Sequence, residues 1–297
     1  SSACVVGFMN RGLWYALGAY IIWGLLTIFW KQLAHVPAIQ LICHRIVWSC
    51  LLLSAYVVIS GQAKKLFDSA KTFVVLRTYT FAALLISLNW LVFIWGVNAG
   101  YVVETSLGYF INPLVSVLIG VVFLHERLRR GQWIAVALAS AGVLVLGFAY
   151  GAIPWIALTL AFSFAFYGLI KKHASLSSIQ GLTLETMIIF LPALGYLIYA
   201  ETQHTGALMH TDLNTNLMLI ATGVITIVPL LMFSTAARRI SLTHIGILQY
   251  IAPTIGFLAG VLIYHETVTR YQYFGFGLVW TALFIFALDG LLAHRRR

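Results

Sequence analysis

Ten apolar stretches recur along the chain, near 12–31, 37–60, 78–98, 102–124, 132–149, 152–170, 179–200, 216–236, 243–264 and 271–292. A helix needs roughly 20 such residues to cross a hydrocarbon core about 30 Å thick. Backbone polar groups find no water in that core, so each stretch must satisfy its own hydrogen bonds, and a helix does so. The connections are short except for 61–77 and 201–215, which leaves no room for a separate soluble domain. Composition points the same way: 61% of the residues are hydrophobic and 9% charged, against about 25% charged in a soluble domain. The chain therefore reads as an all-α integral membrane protein in contact with a lipid bilayer. Its three cysteines, Cys4, Cys43 and Cys50, form no disulfide framework. Residues 1–8 precede Met9 and read as an appended remnant, with the native start at Met9.

The basic residues test this topology, because short cytoplasmic loops collect Lys and Arg. With the N-terminus in the cytoplasm and ten alternating spans, fifteen of the eighteen fall on the cytoplasmic side. They are Arg11; Lys64, Lys65, Lys71 and Arg77; Arg127, Arg129 and Arg130; Lys171 and Lys172; Arg238 and Arg239; and Arg295, Arg296 and Arg297. Only Lys31 and Arg270 fall outside, and Arg45 lies within the second span. The net charge of +10 is thus a topology signal for a cytoplasmic (inner) membrane with both termini inside. The basic loops have few aromatics, which excludes a nucleic-acid partner.

Shifting the chain by 140 residues exposes a repeat. It pairs Ile111 with Ile251, Pro113 with Pro253, Gly120 with Gly260, His125-Glu126 with His265-Glu266, Arg130 with Arg270 and Gln132 with Gln272. Apolar bias does not account for shared Pro, His-Glu, Arg and Gln. The repeat holds five spans, an odd number, so the second copy lies upside down. The reading is two inverted five-helix repeats, 9–150 and 151–297, the usual architecture of secondary transporters.

Pro113 and Pro253 fall mid-span and free the carbonyls of Tyr109 and Gln249. Freed carbonyls at that depth are tolerated where protein or a water-filled cavity satisfies them. Ser116 with Gly120, and Gly256 with Gly260, form small-xxx-small pairs and read as close helix packing. Arg45 and Glu185 occupy equivalent positions in the two repeats. Either Arg45 takes a substrate carboxylate while Glu185 takes a proton, or the two form a buried ion pair between the halves. His44 beside Arg45 titrates near neutrality or is hydrogen-bonded in a helix interface. Trp14, Trp30, Trp133 and Trp155 lie near span ends and read as interfacial anchors. The expected substrate-binding set is Asn89, Trp90, Phe93, Tyr109, Asn112, Phe164, Tyr167, Gln249 and Tyr250, aromatic faces with a few polar groups.

Several segments resemble one known group. They are His44-Arg45, Asn89-Trp90, Phe93-Ile94-Trp95, the run Gly108-Tyr109-Phe110-Ile111-Asn112-Pro113-Leu114, Glu126-Arg127, and the run from Ala161 to Gly168 (AFSFAFYG). The chain is similar from Met9 onward to the RarD subgroup of the EamA-type drug/metabolite transporter superfamily. That resemblance implies ten helices around a central substrate cavity. Relatives of the YddG type export amino acids, notably aromatic ones, and carry Trp-Pro where this chain has Asn112-Pro113. The departure bears on an aromatic-specific pocket.

The leading function is a secondary transporter that exports amino acids or similar small amphipathic metabolites by alternating access. It needs no cofactor, and its partners are a small-molecule substrate, amino acid or drug-like metabolite, and lipid. A homodimer and a monomer are both compatible with the sequence. The alternatives are a membrane enzyme acting on lipid and a channel. A metalloprotease site fails, because His-Glu is followed by Arg129 and Thr269 where H-E-x-x-H needs histidine.

Overall fold

The computed structural model describes residues 2–99, 101–148, 154–265 and 270–295. Among these there is no strand. The helices are α1 Ser2–Gln32, α2 Ala38–Ile59, α3 Ala63–Ala70, α4 Phe73–Asn98, α5 Val102–Leu124, α6 Arg130–Phe148, α7 Trp155–His173, α8 Ser178–Thr202, α9 Leu213–Ala237, α10 Leu242–Gln249, α11 Ile251–Leu262 and α12 Arg270–Arg295. Among the described residues, nine stretches are long and apolar enough to span a membrane, one of them formed by α10 and α11 together. The apolar helix α6 supplies the tenth run over a shorter length. Most of the expected boundaries hold within a few residues. Two places differ more: α1 already starts at Ser2, and the 61–77 connection folds into α3, with α4 starting at Phe73. Leu66 of α3 is buried while Lys64 and Lys65 are exposed, the sidedness of a helix lying along a bilayer surface.

Helix ends follow from local chemistry. Ser177, Asp212 and Ser241 accept hydrogen bonds from the backbone N–H groups of Gln180, Thr215 and His244, capping α8, α9 and α10. His125 ends α5 in the left-handed conformation, φ 52°, and His265 adopts φ 53° after α11. Pro253 has no N–H to offer the Gln249 carbonyl. The ninth span breaks at Tyr250, whose N–H turns to Ile247 O at 3.3 Å, the tighter spacing of a 3₁₀ turn. Pro113 sits inside a continuous α5. The two prolines were expected to act alike, and only the second interrupts its helix.

The repeats are not two lobes. The first supplies α1, α2, α4, α5 and α6 as spans; the second supplies α7, α8, α9, the α10–α11 pair and α12. The main contacts run between them. Helix α1 packs on α9 and α11, just as α7 packs on α4 and α5. Helix α2 packs on α9 as α8 packs on α4, and α2–α8, α5–α10 and α6–α12 pair equivalent helices. Exchanging the halves returns the same packing pattern, as an inverted five-plus-five architecture requires.

Candidate functional site at the meeting of the repeats

Four helices converge on Arg45 of α2. Its guanidinium carbon lies 4.4 Å from the ring centroid of Trp90 on α4 and 4.9 Å from that of Trp30 at the end of α1. Its Nε donates to Thr226 Oγ1 of α9 at 3.0 Å. Two indole faces stabilise the cation through their quadrupoles. The side chain is half-buried, and no carboxylate pairs with it among the described residues. Trp30 therefore turns inward and is not the interfacial anchor expected, whereas Trp14, Trp133 and Trp155 remain exposed.

Tyr109 of α5 lies within electrostatic reach of Arg45. It remains 44% accessible. Phe93 of α4 packs edge-on against it at 5.5 Å. One turn further along α5, Asn112 is buried and its Oδ1 has no hydrogen-bond partner; on α10, Gln249 is buried with Oε1 unpaired. A buried acceptor left unmade costs about 1–3 kcal/mol, so each of these oxygens is suited to a donor from outside the fold. Nearby in sequence on each side, Tyr250 Oη donates to Phe110 O at 3.0 Å. Residues 110 and 250 are repeat equivalents, so this contact marks the pseudo-symmetry axis. Gly246 permits the approach of α10: a Cβ there would come within 2.6 Å of Pro113 O.

The end of the bundle that holds the C-terminus of α7 is sealed. Glu185 of α8 accepts from Lys171 Nζ at 2.6 Å and from Tyr167 Oη at 3.0 Å, and all three side chains are fully buried. Tyr167 and Lys171 are four residues apart on α7, so one helical face presents both to α8. Tyr167 also stacks on Phe233 at 6.1 Å, with Phe164 and Trp23 beside them. The same end carries a backbone clamp: Lys172 donates to Ala237 O and Ile240 O, and Arg238 to Ala174 O and Leu176 O. Glu126, thrown back by the left-handed His125, accepts from Leu242 N at 2.7 Å, Thr243 N at 2.9 Å and Thr243 Oγ1 at 2.6 Å. It thereby caps α10 of the opposite repeat. Gly120 makes room, since a Cβ there would lie 2.7 Å from Glu126 Oε2. Gly120 thus serves this turn as well as the close packing expected of the Ser116–Gly120 pair, since both face α10, Gly120 toward Leu242 and Ser116 toward Gly246. The equivalent Glu266 lies outside the described residues.

Several expectations change. Arg45 and Glu185 do not pair: Lys171, counted above among the loop cations, takes the carboxylate. Tyr167 and Tyr250 are sealed in packing with their hydroxyls committed, so neither lines accessible space. Asn89 spends its amide on Leu160 O at 2.8 Å and Ser163 Oγ at 3.0 Å, tying α4 to α7. Phe164 belongs to the aromatic seal. The carbonyl that receives an outside donor is Phe110's, one residue beyond that of Tyr109. His44 is buried, with Nδ1 unpaired, on the wall of a separate cleft of about 370 Å³ between α2 and α8. The structure gathers Arg45, Trp90, Phe93, Tyr109 and Asn112 from the expected set, with Gln249 across the axis, and adds Trp30 and Thr226. An indole near a span end carries no mark of inward direction, so Trp30 was not separable from the interfacial tryptophans.

Comparison with known proteins fits this geometry. The EamA-like transporter family matches twice, over residues 10–148 and 152–288. Protein RarD of Streptomyces exfoliatus is 45% identical over 290 residues, covering 97% of this chain and 91% of its own. The uncharacterized transporter YojE of Bacillus subtilis is 46% identical, covering 94% of each chain, and protein RarD of Escherichia coli is 42% identical, covering 97% of each. A solved crystal structure of a protein 17% identical in sequence superposes with a TM-score of 0.70, covering 92% of this chain and 96% of that one, which speaks to the fold alone. The chain belongs to the EamA-like transporter family, within the RarD subgroup of the drug/metabolite transporter superfamily, and is a transporter rather than a membrane enzyme.

Proposed function

We propose that the chain exports small amphipathic metabolites, amino acids or similar compounds, across the cytoplasmic membrane by alternating access, with both termini cytoplasmic. One observation carries this reading: Arg45, Tyr109, Asn112 and Gln249, among the polar residues left accessible or unsatisfied, lie on helices that meet across the two repeats. A static packing element has no use for unmade hydrogen bonds at that place, whereas a carrier offers them to its cargo. The Trp30, Trp90, Phe93 and Tyr109 rings suit an apolar body, and Asn112 and Gln249 suit its donors. The seal at Glu185, Lys171 and Glu126 lies on the side rich in Lys and Arg. In this reading the state described is closed to the cytoplasm.

Reconstitution into liposomes tests it. Saturable uptake of a labelled aromatic amino acid, accelerated by unlabelled compound inside, supports a carrier; linear, unsaturable flux rejects it. Asn112→Ala is expected to lower the initial rate about tenfold, the equivalent of one lost hydrogen bond, with folded yield near wild type. Unchanged rates remove Asn112 from the site. Thiol labelling of His125→Cys and His265→Cys in a background without native cysteines is expected to show opposite faces. Labelling from one face refutes the inverted arrangement.

A further inference from the structure

Arg45 is a permanent cation inside a bundle built of apolar helices, and its surroundings do not neutralise it. Thr226 occupies only Nε. Neither terminal nitrogen makes a hydrogen bond among the described residues, and the flanking groups are two indoles and a phenol. The acids whose side chains are described are engaged elsewhere: Glu185 with Lys171, Glu126 with α10, Asp68 with Lys71, Asp289 with Arg129, Glu201 with His210, and Asp212 with Thr215. The fold thus holds the guanidinium by its stem side and faces, and leaves the two-pronged edge that best matches a carboxylate. Arg45 is itself half-buried, and Tyr109, within electrostatic reach of it, is 44% accessible.

We infer that the cargo carries an anionic group, a carboxylate, which binds the terminal edge of Arg45, and that this pairing makes exchange of cargo faster than net release. The inference rests on the carrier reading above and adds the substrate class and the coupling. The second part follows from the first. When the halves close over the site, water leaves, and a bare guanidinium is costly in a low-dielectric interior. A carboxylate in the same place forms a charge-assisted pair and removes most of that cost. The loaded protein therefore passes through the closed state more readily than the empty one.

The test uses phenylacetate, 3-phenylpropionate and N-acetyl-L-phenylalanine, each against its neutral amide. Trp30 and Trp90 flank the guanidinium, so titration of the detergent-purified protein by intrinsic tryptophan fluorescence reads the site without any flux. Each acid that binds is expected to bind about tenfold or more tightly than its amide, the loss of one charge-assisted hydrogen bond. Arg45→Gln is expected to abolish that preference and Arg45→Lys to keep part of it. If no acid on the panel outcompetes its amide on the wild-type protein, the inference falls, and this comparison needs no variant to fold. In liposomes of phosphatidylcholine alone, efflux of labelled phenylacetate is expected to rise about fivefold when the outside holds unlabelled phenylacetate, less than one decade of barrier. Equal rates with and without external acid overturn the exchange part. An acid preference that appears only against added phosphatidylglycerol, by competition, assigns the site to a lipid headgroup phosphate and overturns the cargo assignment. Acid-selective binding with no flux leaves the site intact and rejects the carrier reading. Flux of acids and amides at equal rates does the reverse.

Discussion

Arg45 and Glu185 stand at the same place in the two repeats, and their surroundings have diverged. Around Glu185, the neighbouring helix supplies Lys171 and Tyr167, and the carboxylate is enclosed with every partner it needs. Around Arg45, the neighbouring helices supply Trp30, Trp90 and a single hydroxyl. One corner completes its own electrostatics and the other does not. Repeat symmetry supplies two charged positions; what surrounds them decides whether a position holds the fold shut or waits for cargo.

Removing a partner at each corner separates these roles. Lys171→Ala leaves a buried carboxylate with only a tyrosine and is expected to cost about 3–5 kcal/mol, read as a large drop in the thermal midpoint of the purified protein. Recovery of much of that loss in Lys171→Met/Glu185→Leu supports the pair; no recovery points to packing instead. Glu126→Gln weakens three hydrogen bonds at the start of α10 and is expected to cost about 1–3 kcal/mol. It should also raise amide exchange at Leu242 and Thr243, and a midpoint equal to wild type removes the cap from the sealed end. The smallest effect is the coupling between the two corners. In an Arg45→Ala and Glu185→Ala cycle, the midpoint changes are expected to add within about 0.5 kcal/mol. A larger interaction energy breaks the comparison by tying the two sites together.

The ten apolar runs and the 140-residue repeat were enough to read the architecture, because bilayer thickness and an odd number of spans leave few alternatives. The partners of the charges were not legible. Equivalence suggested that Arg45 meets Glu185, but inversion places equivalent residues at opposite depths unless they lie on the axis. Cys50 of α2 faces Thr186 of α8, so in this antiparallel pair Arg45 is level with a position six residues beyond Glu185, roughly 9 Å along the helix at 1.5 Å per residue. Phe110 and Tyr250, near the axis, do meet. Lys171 was hidden by its neighbour Lys172, since two adjacent lysines at a helix end read as loop charge. The i, i+4 spacing of Tyr167 and Lys171 was the available sign. Among the aromatics, sequence depth alone did not separate Tyr109, which stays accessible, from Tyr167 and Tyr250, which are fully buried.

The interruption at Tyr250 has a mechanical consequence. On one side of it, α10 is anchored by Glu126, by the close approach of Gly246 to Pro113, and by the Tyr250 hydroxyl. On the other, α11 packs on α1 and, through Phe257 and Thr254, on Phe276 and Trp280 of α12. Bending an intact helix there would sacrifice a rung of its ladder, but Pro253 has already removed that rung. A change of angle between α10 and α11 therefore breaks no backbone hydrogen bond at that point, and side-chain packing on α1 and α12 alone sets the angle.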